Sequence, residues 1–128
     1  MKRPPPTALY VATVVLACAS FAAETHAAPS EAEAFVKQVR EAAARPGGQA
    51  IADLTQFPFL FDSQPLQREA FIAKAAPALF TPRVRQCLQR AEPQAEDGRL
   101  VLWCKPYGFY LGPVRGRWRL IEFTADGE

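Results

Sequence analysis

Few side chains in this 128-residue chain could do chemistry, and their positions narrow the choice further. There are three cysteines (Cys18, Cys87 and Cys104) and one histidine, His26. Cys18 and His26 lie in the first 27 residues; Cys87 and Cys104 lie in the last third. No CxxC spacing occurs, so a redox-active or zinc-type motif is not indicated. No glycine-rich phosphate loop is present either, since Gly47-Gly48 alone is far too short a signal. Acid–base chemistry would fall to Asp53, Asp62, Glu69, Glu122, Tyr107 and Tyr110. A base of that kind needs a raised pKa and a substrate within hydrogen-bond reach. Asp53 and Asp62 also suit solvated or turn-capping positions. Strict alternation along the last strand puts Glu122 on the face of Trp118 and Leu120, which would bring a carboxylate toward the core.

Arg115, Arg117 and Arg119 recur at two-residue spacing, so on a strand they share one face. Together with Lys105 they could form a patch for an anion or an acidic partner. The alternative is a solvated edge that discourages sheet-to-sheet pairing. In either case, charge reversal of the three arginines is expected to leave stability nearly intact. Tyr107, Phe109 and Tyr110 sit beside glycines and, with Trp118 and Glu122, could line a pocket. The alternative for such rings is to complete the core.

The N-terminal segment explains why the histidine drops out. Lys2 and Arg3 precede an uncharged run of 16 residues, Ala8 to Ala23, and Thr25-His26-Ala27 fits a small-x-small cleavage site. Basic end, apolar run and small-residue exit are the order of a secretory signal covering residues 1–27. The run is also shorter than the ~20 residues of a spanning helix, so no membrane span is expected after processing. A second route is open, because Val15-Leu16-Ala17-Cys18 resembles a bacterial lipoprotein box that would make Cys18 a lipidated first residue. Either route takes Cys18 out of the pool of free thiols. Cleavage after Ala27 also removes His26, and with it histidine-dependent triads and metal sites. No cofactor is implied. Two cysteines then remain in an exported protein, and the simplest outcome is a Cys87–Cys104 disulfide. The whole chain carries 15 basic and 13 acidic residues, net +2. Losing Lys2, Arg3 and Glu24 brings it still nearer neutrality, which argues against a nucleic-acid binder.

The remaining residues, 28–128, make one domain. Ser30 and Glu33 form a capping box, followed by an apolar stripe of Ala32, Phe35, Val36, Val39 and Ala43 that ends at Pro46-Gly47-Gly48. Gln49 to Thr55 reads as a short helix. Phe57, Phe59 and Phe61 alternate in an extended segment, with a turn at Asp62-Ser63-Gln64-Pro65. Gln67 to Ala76 reads as a helix interrupted by Pro77, and Thr81-Pro82 opens another. Ala91 to Gly98 looks turn-like. Strands are expected at Arg99 to Cys104, at Phe109 to Leu111 with a turn at Gly112-Pro113, and, after another turn at Gly116, at Arg117 to Phe123. Leu100, Leu102 and Cys104 would share one face of the first of these, with Val101 and Trp103 on the other. Helices first and strands last predict an α+β fold, its helices packed on a bent, mainly antiparallel C-terminal sheet.

These segments together resemble a family. Phe57-Pro58-Phe59 follows an amphipathic helix, and Glu69-Ala70-Phe71 and Leu79-Phe80-Thr81-Pro82-Arg83-Val84 come next. Gly108-Phe109-Tyr110-Leu111-Gly112 and Gly116-Arg117-Trp118-Arg119-Leu120-Ile121 complete the set. From Ser30 to Phe123 the order is similar to that of small exported bacterial NTF2-like (cystatin-like α+β) proteins. The resemblance implies a helix layer held in a strongly bent sheet, often around a cone-shaped pocket. Enzymes of that type place an Asp or His base with Tyr or Asp partners in the cone, and no residue set here matches that pattern one by one. The leading expectation is therefore a periplasmic or secreted, non-catalytic binding domain for a small ligand, a protein partner or a second copy. Apolar residues on both faces of Arg99 to Cys104 would suit a homodimer. The alternatives are a small ketosteroid-isomerase-like enzyme with a carboxylate base, and a secreted inhibitor or immunity protein.

Overall fold

The computed structural model describes residues 30–125. The leader, Cys18 and His26 lie outside the described residues. Helix α1 (Glu31–Ala44) begins where the Ser30 side chain accepts a hydrogen bond from the Glu33 N–H at 3.1 Å. That cap satisfies one of the donors a helix start leaves free. Phe35, Val36, Val39, Ala42 and Ala43 form its buried stripe. The helix stops as Arg45 turns extended before Pro46, a conformation that proline imposes on its predecessor. Helix α2 (Gln49–Ala52) follows immediately. It starts at Gly48, where a Cβ would come within 2.6 Å of the Ala76 Cβ. Only glycine lets these two segments approach so closely.

Next come β1 (Phe59–Phe61) and β2 (Gln64–Leu66), an antiparallel hairpin. Asp62 and Ser63 make its two-residue turn, both at positive φ, while Gln64 and Pro65 already belong to β2. Phe59 is fully buried and meets the Phe71 ring edge-on at 5.0 Å; Phe57 meets the same ring at 5.5 Å. Such pairs add about 0.5–1.5 kcal/mol each beyond area burial.

Pro77 does not interrupt the following helix. Residues 68–79 run continuously through α3 (Arg68–Ala70), a π-helical turn (Phe71–Ala75) and α4 (Ala76–Leu79). The Ala76 N–H bonds the Phe71 carbonyl, five residues back. The ladder is thus re-registered just before the one residue that has no N–H to offer. Helix α5 (Pro82–Leu88) opens on Thr81, whose side chain accepts from the Val84 N–H.

The C-terminal sheet is four antiparallel strands in sequential order: β3 (Gln94–Glu96), β4 (Arg99–Cys104), β5 (Tyr107–Val114) and β6 (Arg117–Thr124). The class is α+β, helices followed by a C-terminal sheet. Strand β3 occupies the stretch expected to be a turn. Its residues are all exposed, so they carry no apolar alternation to reveal them, and Asp97-Gly98 closes its hairpin with β4. Gly112-Pro113 does not turn β5 either. Pro113 lies opposite Trp118 in a pair that exchanges no hydrogen bonds, so its missing N–H costs nothing there. The turn comes at Arg115-Gly116, both at positive φ. Lys105 and Pro106 connect β4 to β5, with a cis peptide between them.

The inner face of the sheet presents Leu102, Cys104, Phe109, Leu111 and Leu120 to the helices, in one cluster with Phe35, Val39, Phe71, Phe80 and Leu88. Val101 is buried on the opposite face, outside that cluster.

Candidate functional site

Cys87, on α5, and Cys104, at the end of β4, form a disulfide with their Cα atoms 5.6 Å apart. The bond ties the helix layer to the sheet. The space between those layers is closed. A void of about 10 Å³ remains, lined only by apolar side chains, among them Val39, Leu88, Phe109 and Leu111. One water needs roughly 10–15 Å³ of such space and polar partners, so this void is no ligand pocket.

The residues expected to line a pocket are split between two faces. Phe109 is core and stacks on Phe80 at 5.2 Å. Tyr107 joins it on the inner face, 6.0 Å from Phe109 and 5.7 Å from Phe123. Tyr110 and Glu122 are on the outer face. The cause is a β-bulge in β6: Tyr110 pairs with Glu122 but Leu111 pairs with Leu120, leaving Ile121 extra. One extra residue reverses the facing of everything beyond it. Glu122 therefore does not share a face with Trp118 and Leu120. It accepts from Arg99 Nη1 at 2.6 Å, and the Arg99 guanidinium lies 4.4 Å from the centre of the Tyr110 ring. Beside them the Trp103 ring, 37% exposed, covers Gly108 so tightly that a Cβ there would meet it at 2.6 Å.

The four basic residues are not one patch. Lys105 sits in the β4–β5 turn, at the opposite end of β5 from Arg115, about 23 Å away at roughly 3.3 Å per residue. Arg115 and Arg117 are exposed. Arg119 is engaged: its Nη2 donates to the Thr55 carbonyl at 2.7 Å. Thr55, fully buried, donates its hydroxyl to the Ile51 carbonyl at 2.7 Å. The Leu120 N–H bonds the Leu54 carbonyl, and the Gln56 N–H bonds the Leu120 carbonyl, both at 2.8 Å. Segment 54–56 thus covers part of the β6 edge, and Arg119 clamps it there. Burial lowers the Arg119 pKa, nearby Arg117 lowers it further, and Asp53 works the other way.

One recess with polar walls lies beside that edge, and another of the same volume, about 340 Å³, lies at Gly47, Gln49, Ile72 and Arg85. An open groove of about 340 Å³ runs between α1 and the β5–β6 hairpin, with Phe35, Trp118, Leu54, Asp53, Arg117 and Arg119 among its walls. A neighbouring recess of about 240 Å³ shares Arg117 and Arg119 and adds Arg115, Gln56 and Val114. Asp53 is exposed and ion-paired to Arg68 at 2.7 Å. Asp62 is in a turn and Glu69 is exposed on α3. None of the candidate carboxylates lines the interior void.

The α1 wall of the groove was not anticipated, because Phe35 reads as ordinary helix stripe. Nor was Arg85, whose guanidinium donates to the carbonyls of Phe80, Ala43, Arg45 and Gly47. Spacing offers no signal for a side chain that reaches backbone some forty residues away. Among the described residues, no helix is long and apolar enough to cross a membrane, and no group of three or more His, Cys, Asp or Glu gathers as a metal site would need. Comparison of the chain with protein-family models, with curated proteins and with solved structures gives no match.

Proposed function

We propose that the chain is an exported, non-catalytic binding domain of NTF2-like type, acting in the periplasm or outside the cell, with its ligand in the open groove between α1 and the β5–β6 hairpin. The observation that carries this reading is the contrast in space. The interior is filled to a void of about 10 Å³, whereas the groove offers about 340 Å³ with two aromatic rings and charged rims. An enclosed site with a raised-pKa base, as a ketosteroid-isomerase-like reaction needs, has no room in that interior. The leader-like N-terminus and the disulfide both fit an oxidising compartment.

A fragment screen read by amide chemical shifts on the isotopically labelled chain tests the proposal. Shifts should cluster at Ala34 to Gln38 and Gly116 to Arg119. Shifts centred on Val39, Leu88 and Leu111 would mean that the core opens to take ligand, and the reading would fall.

A further inference from the structure

The β6 edge is only partly covered. Segment 54–56 bonds to the N–H and C=O of Leu120 and goes no further, because the chain before it turns into α2. Pairing with β5 is regular from Leu120 back to Arg117. By the two-residue period, the N–H and C=O of Trp118 therefore point to the same side as those of Leu120. Among the described residues no backbone reaches them. A row of unpaired edge groups is a template for an added strand.

The surroundings of this open edge specify what would fit. Arg117 and Arg119 flank Trp118 in sequence and lie on one face, about 6.6 Å apart at roughly 3.3 Å per residue. Arg115 follows at the hairpin tip. Arg119 spends one N–H on Thr55, and a guanidinium has five. Neither Arg115 nor Arg117 has a carboxylate within ion-pair distance among the described residues. On the other face, Phe35 and Trp118 both line the groove.

We propose that the open β6 edge at Gly116–Trp118 takes an extended acidic segment of a partner protein as an added strand, carboxylates at alternate positions meeting the arginines and the apolar residue between them entering the groove against Phe35 and Trp118. The inference rests on the binding reading above and names its partner: a strand of acid, apolar, acid pattern.

The probe is a blocked pentapeptide, Glu-Val-Glu-Val-Glu, titrated into the full chain, with Lys-Val-Lys-Val-Lys and the dianion glutarate as controls. The acidic peptide should shift the amides of Gly116 to Arg119 and slow exchange of the Trp118 amide at least tenfold at saturation. Its affinity should fall at least tenfold in Arg117→Glu, an exposed substitution that leaves the fold intact, and should weaken as salt rises. Equal binding of the lysine peptide overturns the proposal. So does an identical response to glutarate without protection of the Trp118 amide, which would mean an anion site only. Silence toward the peptide at millimolar concentration, in a groove that does take apolar fragments, sinks the strand and leaves the binding reading standing.

Discussion

Replacing Arg85 with methionine should cost this protein about 2–3 kcal/mol, although the residue touches no candidate ligand site of the sheet. The figure follows from its partners. Nε donates to the Phe80 carbonyl at 2.8 Å and Nη1 to the Arg45 carbonyl at 2.7 Å, with a longer contact to Ala43 at 3.4 Å; Nη2 donates to Gly47. Ala43 belongs to the last turn of α1, where carbonyls lack helical partners, and Phe80 caps α4. One charged fork therefore holds two helix ends and the loop between α1 and α2. A hydrogen bond to a charged group contributes about 1.5–3 kcal/mol, but these bonds do not add, because partly exposed carbonyls recover water when the donor leaves. Methionine keeps the apolar stem and loses every donor, so the loss isolates the guanidinium. Burial holds the Arg85 pKa below the usual arginine value without threatening its charge at neutral pH. Urea melts should show a lower midpoint at an unchanged slope, and the thermal midpoint should fall by roughly 10–20 °C for a domain of this size. Arg85→Lys should recover less than half of the loss, since one ammonium cannot face three directions. A methionine variant within about 0.5 kcal/mol of the parent, or a lysine variant equal to it, would refute the assignment.

Two further outcomes are expected. Cys87→Ser should lower stability by about 3 kcal/mol, the loop-closure value for the 17-residue separation, and reductant should do the same to the parent; identical melts with and without reductant would exclude the bond. Arg115→Glu and Arg117→Glu should each stay within about 0.5 kcal/mol of the parent, whereas Arg119→Ala should cost about 1–2 kcal/mol through the freed Thr55 carbonyl; equal effects at all three in urea melts would contradict the geometry. This replaces the expectation that all three arginines could be reversed without loss.

The parts of the fold that were legible are those set by local rules. The Ser30 cap, the α1 stripe, the Thr81-Pro82 helix opening and the apolar strands β4 and β6 each announce themselves within a few residues. The disulfide was legible for another reason, since the export expected from the leader-like N-terminus and the cysteine count left little choice. What was misread depends on partners distant in sequence. Strand β3 has no apolar period because both of its faces are exposed, so only its pairing with β4 makes it a strand. Pro77 breaks a helix only if the ladder needs its N–H, and the π-turn before it removes that need.

The candidate site was misread through one residue. Alternation along Arg117 to Phe123 assumes that nothing is inserted, and Ile121 is inserted. Without the bulge, Glu122 would face inward with Trp118 and Leu120 and could serve as a buried base. With it, Glu122 pairs with Arg99 in the open, while Trp118 and Leu120 keep their inward facing. The same bulge allows Leu120 to stay in the core while its backbone serves segment 54–56. A chemistry built on a carboxylate in the interior and the proposed recognition of a partner at an open strand edge are thus separated by the register of a single position. A regular ladder that kept Ile121 in register would instead set Glu122 opposite Phe109, an unpaired carboxylate in an apolar core that costs several kcal/mol. The bulge is what makes this sequence compatible with a filled interior, and a filled interior is what directs the binding proposed here to the edge and its groove.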